Sequence, residues 1–186
     1  METRCAWTTT DAQYMSYHDH EWGVPERDDA RLLEMLVLEG AQAGLNWLTV
    51  LRRRTTYRQA FYDFDPVVVA GLSTEDLMQM PGLIHHEKKL QSAINNAKVT
   101  LRIQHEWGTL SRFLWQWVDG KPVIHHFQDP SEVPTQSHES HAMSQALKTY
   151  GMTFVGPTIC YALMQATGMV NDHLVQCFRH APLSEH

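Results

Sequence analysis

Residues 28–51 read DDARLLEMLVLEGAQAGLNWLTVL, and this stretch decides the fold class. Asp28 or Asp29 can cap a helix, and a second acid in the first turn suits the positive end of the helix dipole. Leu32, Leu33, Leu36, Val37 and Gly40 then recur at helical spacing. Gly44 interrupts the pattern, and Leu45, Trp47, Leu48, Val50 and Leu51 begin a second apolar run. The stretch predicts two helices broken within residues 40–46, with Glu39, Gln42 and Trp47 gathered at the corner between them.

Working outward, the same period continues in both directions. Asp65-Pro66 opens a short helix through Val67, Val68 and Val69, and Ser73 caps another that contains Leu77 and Met80. Pro81-Gly82 signals a turn, after which residues 86–103 carry Leu90, Ile94, Ala97 and Leu101 on one side. Trp107, Leu110, Phe113, Leu114, Trp117 and Val118 form a further apolar face. Residues 121–138 have weak periodicity and read as loop. Met143, Leu147 and Tyr150 fit a helix ending at Gly151. Pro157 opens one that ends near Gly168, and a last helix is expected from about Asp172 to His180, stopping before Pro182. No segment alternates in the way strands require. The expectation is an all-α fold with residues 1–186 as one compact domain, or two small helical lobes around a shared core and pocket.

Composition narrows the function classes. Lysine and arginine total 15 against 21 acids, a net charge of -6, which argues against a polybasic nucleic-acid coat. The imbalance is local. Residues 1–51 hold Arg4, Arg27 and Arg31 against nine acids, whereas residues 52–112 hold nine basic and six acidic side chains. Arg52, Arg53, Arg54 and Arg58 read either as a solvated helix end or as a phosphate-facing patch. Three cysteines cannot all pair internally, so a reducing, cytoplasmic setting is expected. Met1 is followed by Glu2, Thr3 and Arg4 rather than an apolar leader, and no run is long and apolar enough to span a membrane.

Twelve histidines and six tryptophans are many for 186 residues. Cys5 and His18 lie near one end, and His173 and Cys177, spaced i,i+4, near the other. On a helix the second pair would share a face, and two sulfurs with two imidazoles suit tetrahedral Zn²⁺. Spacing alone leaves open the alternative of hydrogen-bonded histidines beside buried thiols. His85-His86, His125-His126 and His138/His141 are rivals without a completing ligand. By pattern alone, Glu39 reads as a solvated helix charge, and Trp47, Tyr14 and Tyr17 as packing residues.

Dispersed motifs change these readings. They are Arg4-Cys5-Ala6-Trp7; Tyr14 and Tyr17-His18-Asp19 with Glu21-Trp22-Gly23-Val24-Pro25; Leu38-Glu39-Gly40 with Gln42-Ala43-Gly44-Leu45 and Trp47; Phe154-Val155-Gly156 with Thr158; and Asn171-Asp172-His173. Over roughly residues 2–180 the chain resembles the DNA-3-methyladenine glycosylase I family, a branch of the helix–hairpin–helix glycosylases. The resemblance implies a monofunctional N-glycosyl hydrolase of base excision repair. Such an enzyme flips 3-methyladenine out of alkylated double-stranded DNA, cuts its glycosidic bond and leaves an abasic site without lyase cleavage.

The family's zinc ligands fall on Cys5, His18, His173 and Cys177, its base-recognising glutamate on Glu39, its pocket tryptophan on Trp47 and its paired tyrosines on Tyr14 and Tyr17. The helix–hairpin–helix falls near residues 78–93. Its hairpin is Pro81, Gly82, Leu83, Ile84 and His85, with Lys88 and Lys89 beside it as DNA contacts. The catalytic aspartate that the wider superfamily carries beyond the hairpin is absent from this branch. Glu39 is therefore expected to act in recognition and electrostatics. The resemblance also implies structural zinc and a monomer. The competing readings are a zinc-stabilised damage-binding protein without turnover, and a helical zinc domain that recruits another protein.

Overall fold

The computed structural model describes residues 2–184. Eleven α-helices are seen among them: α1 (Ala12–His20), α2 (Asp29–Gln42), α3 (Trp47–Leu51), α4 (Arg54–Ala60), α5 (Pro66–Ala70), α6 (Thr74–Gln79), α7 (Glu87–Trp107), α8 (Leu110–Trp115), α9 (His138–Thr149), α10 (Pro157–Ala166) and α11 (His180–Ser184). The predicted break between residues 40 and 46 falls between α2 and α3. Asp28 caps α2 by accepting from the Arg31 amide, and the Asn46 side chain caps α3 by accepting from Leu48. Gly44, at φ +78°, makes the left-handed bend that other residues resist.

Helix α2 is the central element. Leu32, Leu33, Leu36 and Leu38 are almost wholly buried, and α2 packs against α3, α7, α8 and α10. Burial on this many sides explains why its apolar residues fill more than one face. Helix α7 packs on α5, α6 and α2, and α9 packs on α10. Asp29 joins two of these layers: its carboxylate accepts from the Leu110 and Ser111 amides at the start of α8 and from Gln104 of α7.

Three expectations are corrected. Trp107 ends α7, and Gly108, at φ +87°, separates it from α8, so the apolar run 107–118 is not one helix. The stretch 121–138 is mostly loop but includes β1 (Val123–Ile124). This pairs in parallel with β2 (Val170–Asn171) in a two-stranded ribbon, a small addition to an all-α fold.

Residues 172–179 are not helical. Their backbone donors go elsewhere: Val175 N–H to Phe127 O, Cys177 N–H to Leu174 O and Phe178 N–H to Thr3 O. The Asn171 side chain also takes the His173 amide. Side chains and neighbouring segments outcompete the i−4 carbonyls here, and the last helix begins only at His180, with Pro182 in its first turn. No described helix is long and apolar enough to cross a membrane.

Candidate active site

A cavity of about 430 Å³ opens beside the α2–α3 corner, within the size range of small-molecule sites. One wall is aromatic. Tyr14 and Tyr17 come from α1, Trp47 from the start of α3, and Trp7 and Trp22 from the segments flanking α1. The rings brace one another. Trp7 lies 5.1 Å from Tyr14 and 5.0 Å from Trp22, and Tyr17 lies 5.5 Å from Trp47, between centroids. Such tilted and edge-on contacts fix the wall's shape beyond what burial alone would do.

Glu39 projects into this cavity from the last turns of α2 and is 6% exposed, not a solvated charge. Burial alone pushes its carboxyl up to about 8, because no cation offsets the lost hydration. Burial first, and Glu39 second, also raise the Tyr14 and Tyr17 phenols. The cavity therefore combines aromatic faces, neutral phenols and an acid that gains from the arrival of positive charge.

A second group of lining residues was not anticipated. Asp172, 2% exposed, accepts from Nδ1 of His125 at 2.6 Å, the Tyr161 hydroxyl at 2.7 Å and Nε2 of Gln165 at 2.8 Å. The Asp172 carboxylate raises the His125 pKa. Thr158, Tyr161, Gln165 and Asp172 line the cavity, as does Gln42. The tryptophan surplus hinted at Trp7 and Trp22, and Asp172 lay within a quoted motif. No pattern linked Asp172 to Tyr161 and Gln165.

Behind the aromatic wall, Cys5, His18, His173 and Cys177 converge as expected, all buried, with their ligand atoms within 4.8 Å of one another. Cys177 Sγ stands 3.4 Å from His18 Nε2 and 3.4 Å from His173 Nδ1, and Cys5 Sγ 3.7 Å from His173 Nδ1. His173 and Cys177 approach through a turn rather than along one helix face. The remote imidazole nitrogens are also held: His18 Nδ1 lies 2.8 Å from Asp19 and His173 Nε2 lies 3.0 Å from the Trp22 carbonyl. These outer contacts set ring orientation and tautomer as in metal sites. Gly23, at φ +81°, passes so close that a Cβ would stand 3.1 Å from His173 Nε2. This donor set can hold a tetrahedral metal ion. Among the described residues it is the one such group; His85, His125 and His141 are engaged with Met80, Asp172 and Gln136 instead.

The α6–α7 turn has Pro81, Gly82 and His85 exposed, Leu83 buried and Ile84 half-buried. The amides of Gly82, Leu83 and His85 donate to no backbone carbonyl among the described residues. Lys88 is exposed, whereas the Lys89 ammonium donates to the carbonyls of Ala41 and Ala43. The arginine run divides: Arg52 pairs with Asp11, and Arg54 and Arg58 pair with buried Glu34.

A model of the methyladenine glycosylase family matches residues 7–180. The chain belongs to that family. It is 48% identical over 177 residues to the DNA-3-methyladenine glycosylase 1 of Escherichia coli K12, covering 94% of this chain and 95% of that protein. It is 45% identical over 180 residues to the DNA-3-methyladenine glycosylase of Haemophilus influenzae, covering 95% and 97%. A crystal structure of 3-methyladenine DNA glycosylase I superposes with a TM-score of 0.93 at 45% identity, covering 96% of this chain and 100% of that one. The Staphylococcus aureus 3-methyladenine DNA glycosylase I, solved for its recognition of 3-methyladenine, gives 0.92 at 38% identity over 95% and 96%.

Proposed function

We propose that residues 1–186 act as one monofunctional DNA glycosylase domain that excises 3-methyladenine from alkylated double-stranded DNA and leaves an abasic site. The observation that carries this reading is Glu39, a carboxyl buried in an aromatic cavity with no side-chain partner among the described residues, in a member of the methyladenine glycosylase family.

A base stacked in a duplex cannot enter such a cavity, so the nucleotide must swing out of the helix, at least cost where alkylation has weakened pairing. Trp47, Tyr14 and Tyr17 then enclose the purine, each stacking contact contributing about 1–3 kcal/mol. Glu39 accepts from the exocyclic amine and favours a cationic base over neutral adenine. A base already positive leaves with the glycosidic electron pair and becomes neutral. Cation character develops on the sugar, and water attacks C1′. Glu39 serves recognition and electrostatics.

The hairpin Pro81, Gly82, Leu83, Ile84 and His85 is proposed to offer backbone amides to phosphate, with Lys88 adding charge; such contacts position a protein without reading sequence. Cys5, His18, His173 and Cys177 are proposed to hold Zn²⁺. With four protein ligands the ion would have no open position, so it would supply cohesion between the chain's two ends rather than Lewis-acid chemistry. A cytoplasmic monomer fits reduced, buried cysteines and this role.

The test is incubation of purified protein with methylated DNA and chromatography of the released bases. Release of 3-methyladenine above the buffer control is the expected result. Lesion binding without release would favour the damage-binding alternative, and neither binding nor release would favour a recruiting domain.

A further inference from the structure

Lys89 stands in the first turn of α7, three residues after the His86 cap that ends the hairpin. Its Nζ donates to the Ala41 carbonyl at 2.9 Å and the Ala43 carbonyl at 2.6 Å. The last carbonyls of a helix lack intrahelical partners and carry the negative end of its dipole, so an ammonium here closes the C-terminus of α2. Immediately beyond, Ala43 leaves helical geometry and Gly44 turns left-handed, sending the chain into α3. Glu39, Gln42 and Trp47 flank this closure, and all three line the cavity.

The last turns of α2 meet a second segment on the same side. A Cβ on Gly40 would stand 3.2 Å from the Phe154 side chain, so the 151–156 loop lies directly against the helix. That loop is anchored to α7 as well. Ser92 and Asn96 donate to the Thr153 carbonyl at 3.1 and 2.9 Å, and the Thr153 amide donates back to Asn96 at 3.0 Å. The helix that leaves the hairpin therefore grips the end of α2 directly through Lys89 and indirectly through the Thr153–Phe154 loop.

We propose that Lys89 is a positioning residue that couples the seating of the 81–85 hairpin on a DNA backbone to the α2–α3 corner carrying Glu39 and Trp47. The role rests on the glycosylase reading above. It differs from phosphate contact, because two of the three ammonium hydrogens already point at α2. Placement errors of an ångström in a reacting complex are costly even when they arise away from the reacting atoms.

Lys89→Met, Lys89→Arg and Lys88→Met are compared with wild type in three measurements. These are single-turnover release from methylated duplex, affinity for free 3-methyladenine by tryptophan fluorescence, and the salt dependence of binding to an abasic-analogue duplex. Lys89→Met is expected to slow release by about tenfold or more, while free-base affinity stays within about twofold and the salt slope is unchanged. Lys88→Met is expected to lower the slope by about 0.9, the signature of one lost phosphate contact. Lys89→Arg separates the roles even if the Met variant folds poorly. A phosphate ligand tolerates arginine, whereas a flat guanidinium does not replace a compact ammonium between two carbonyls, so release is expected to slow with the slope intact.

The inference is overturned by a slope lowered in Lys89→Met, by wild-type release from both Lys89 variants, or by free-base affinity falling as much as release. Absence of release by the wild-type protein would instead overturn the glycosylase reading itself.

Discussion

Glu34 and Glu39 are the same residue type on the same helix, five residues apart, and both are buried, at 1% and 6% exposure. Glu34 is fully spent. One carboxylate oxygen accepts from Arg54 at 2.5 Å and Arg58 at 2.9 Å, and the other from Arg31 at 3.0 Å. Glu39 faces an aromatic cavity, and burial leaves its carboxyl near pKa 8 with no cation to hold the charge. Five residues turn a helix by about 140°, enough to direct one carboxylate toward the arginines of α4 and the other toward the cavity. The difference separates a buried charge that holds structure together from one kept for a visitor.

The cysteine–histidine quartet lies on Glu34's side of that divide, because its members are buried against one another as a donor set for the proposed zinc. Metal removal should give the largest effect. Structural zinc contributes about 10–16 kcal/mol in small zinc domains, so stripping it is expected to unfold the protein, with excision lost in step. Metal content per chain, circular dichroism and base release followed together during chelation make the measurement. Lost activity in a protein that stays folded would place the metal in the chemistry instead.

Glu34→Ala is expected to follow. It leaves Arg54, itself 7% exposed, without its closest buried partner. Removing one partner of a buried pair typically costs about 3–5 kcal/mol, visible as a lowered urea midpoint. Glu39→Gln should cost no stability but weaken free 3-methyladenine binding by about tenfold to a hundredfold, about 1.4–2.8 kcal/mol. If bond cleavage at saturating DNA slows far more than binding weakens, Glu39 does chemistry as well as recognition. If both variants destabilise equally, the contrast between the two carboxylates fails.

Only part of this contrast could be read from the chain. The α2–α3 break was legible because its signal is local: Gly44 interrupts the apolar period where the chain bends, while the Asn46 cap emerged only in the structure. The roles of Glu34 and Glu39 were not, because they depend on Arg54 and Arg58 arriving from another helix and on aromatic rings from α1. Pattern alone read Glu39 as solvated; the family resemblance supplied its role. His173 and Cys177 show a different failure. The right residues were paired on the wrong local structure, since the Val175 and Phe178 amides donate to the carbonyls of Phe127 and Thr3 instead of continuing the helix that i,i+4 spacing suggested. The Asp172, Tyr161 and Gln165 wall joins residues by side-chain contacts that no period encodes.

The smallest expected effect is also the most direct reading of Glu39's environment. An unfolded glutamate titrates near 4.5 and the buried one near 8, so between those values the folded state binds more protons than the unfolded state. Stability contributed by the neutral carboxyl is fully present below about pH 4.5 and is lost as pH rises toward about 8. Glutamine carries no such proton. The melting temperature of Glu39→Gln minus that of wild type should therefore be small at pH 5, grow through neutrality and level off above about pH 8. Contributions from other titrating groups cancel in the difference when the variant leaves them undisturbed. A cationic ligand should act on the same balance with opposite sign, since it favours the ionised carboxylate, so 3-methyladenine in its protonated, cationic form should stabilise wild type more than the variant. A difference in melting temperature that stays flat from pH 5 to 9 would mean that Glu39 is already ionised without a ligand, against the upward push of its burial.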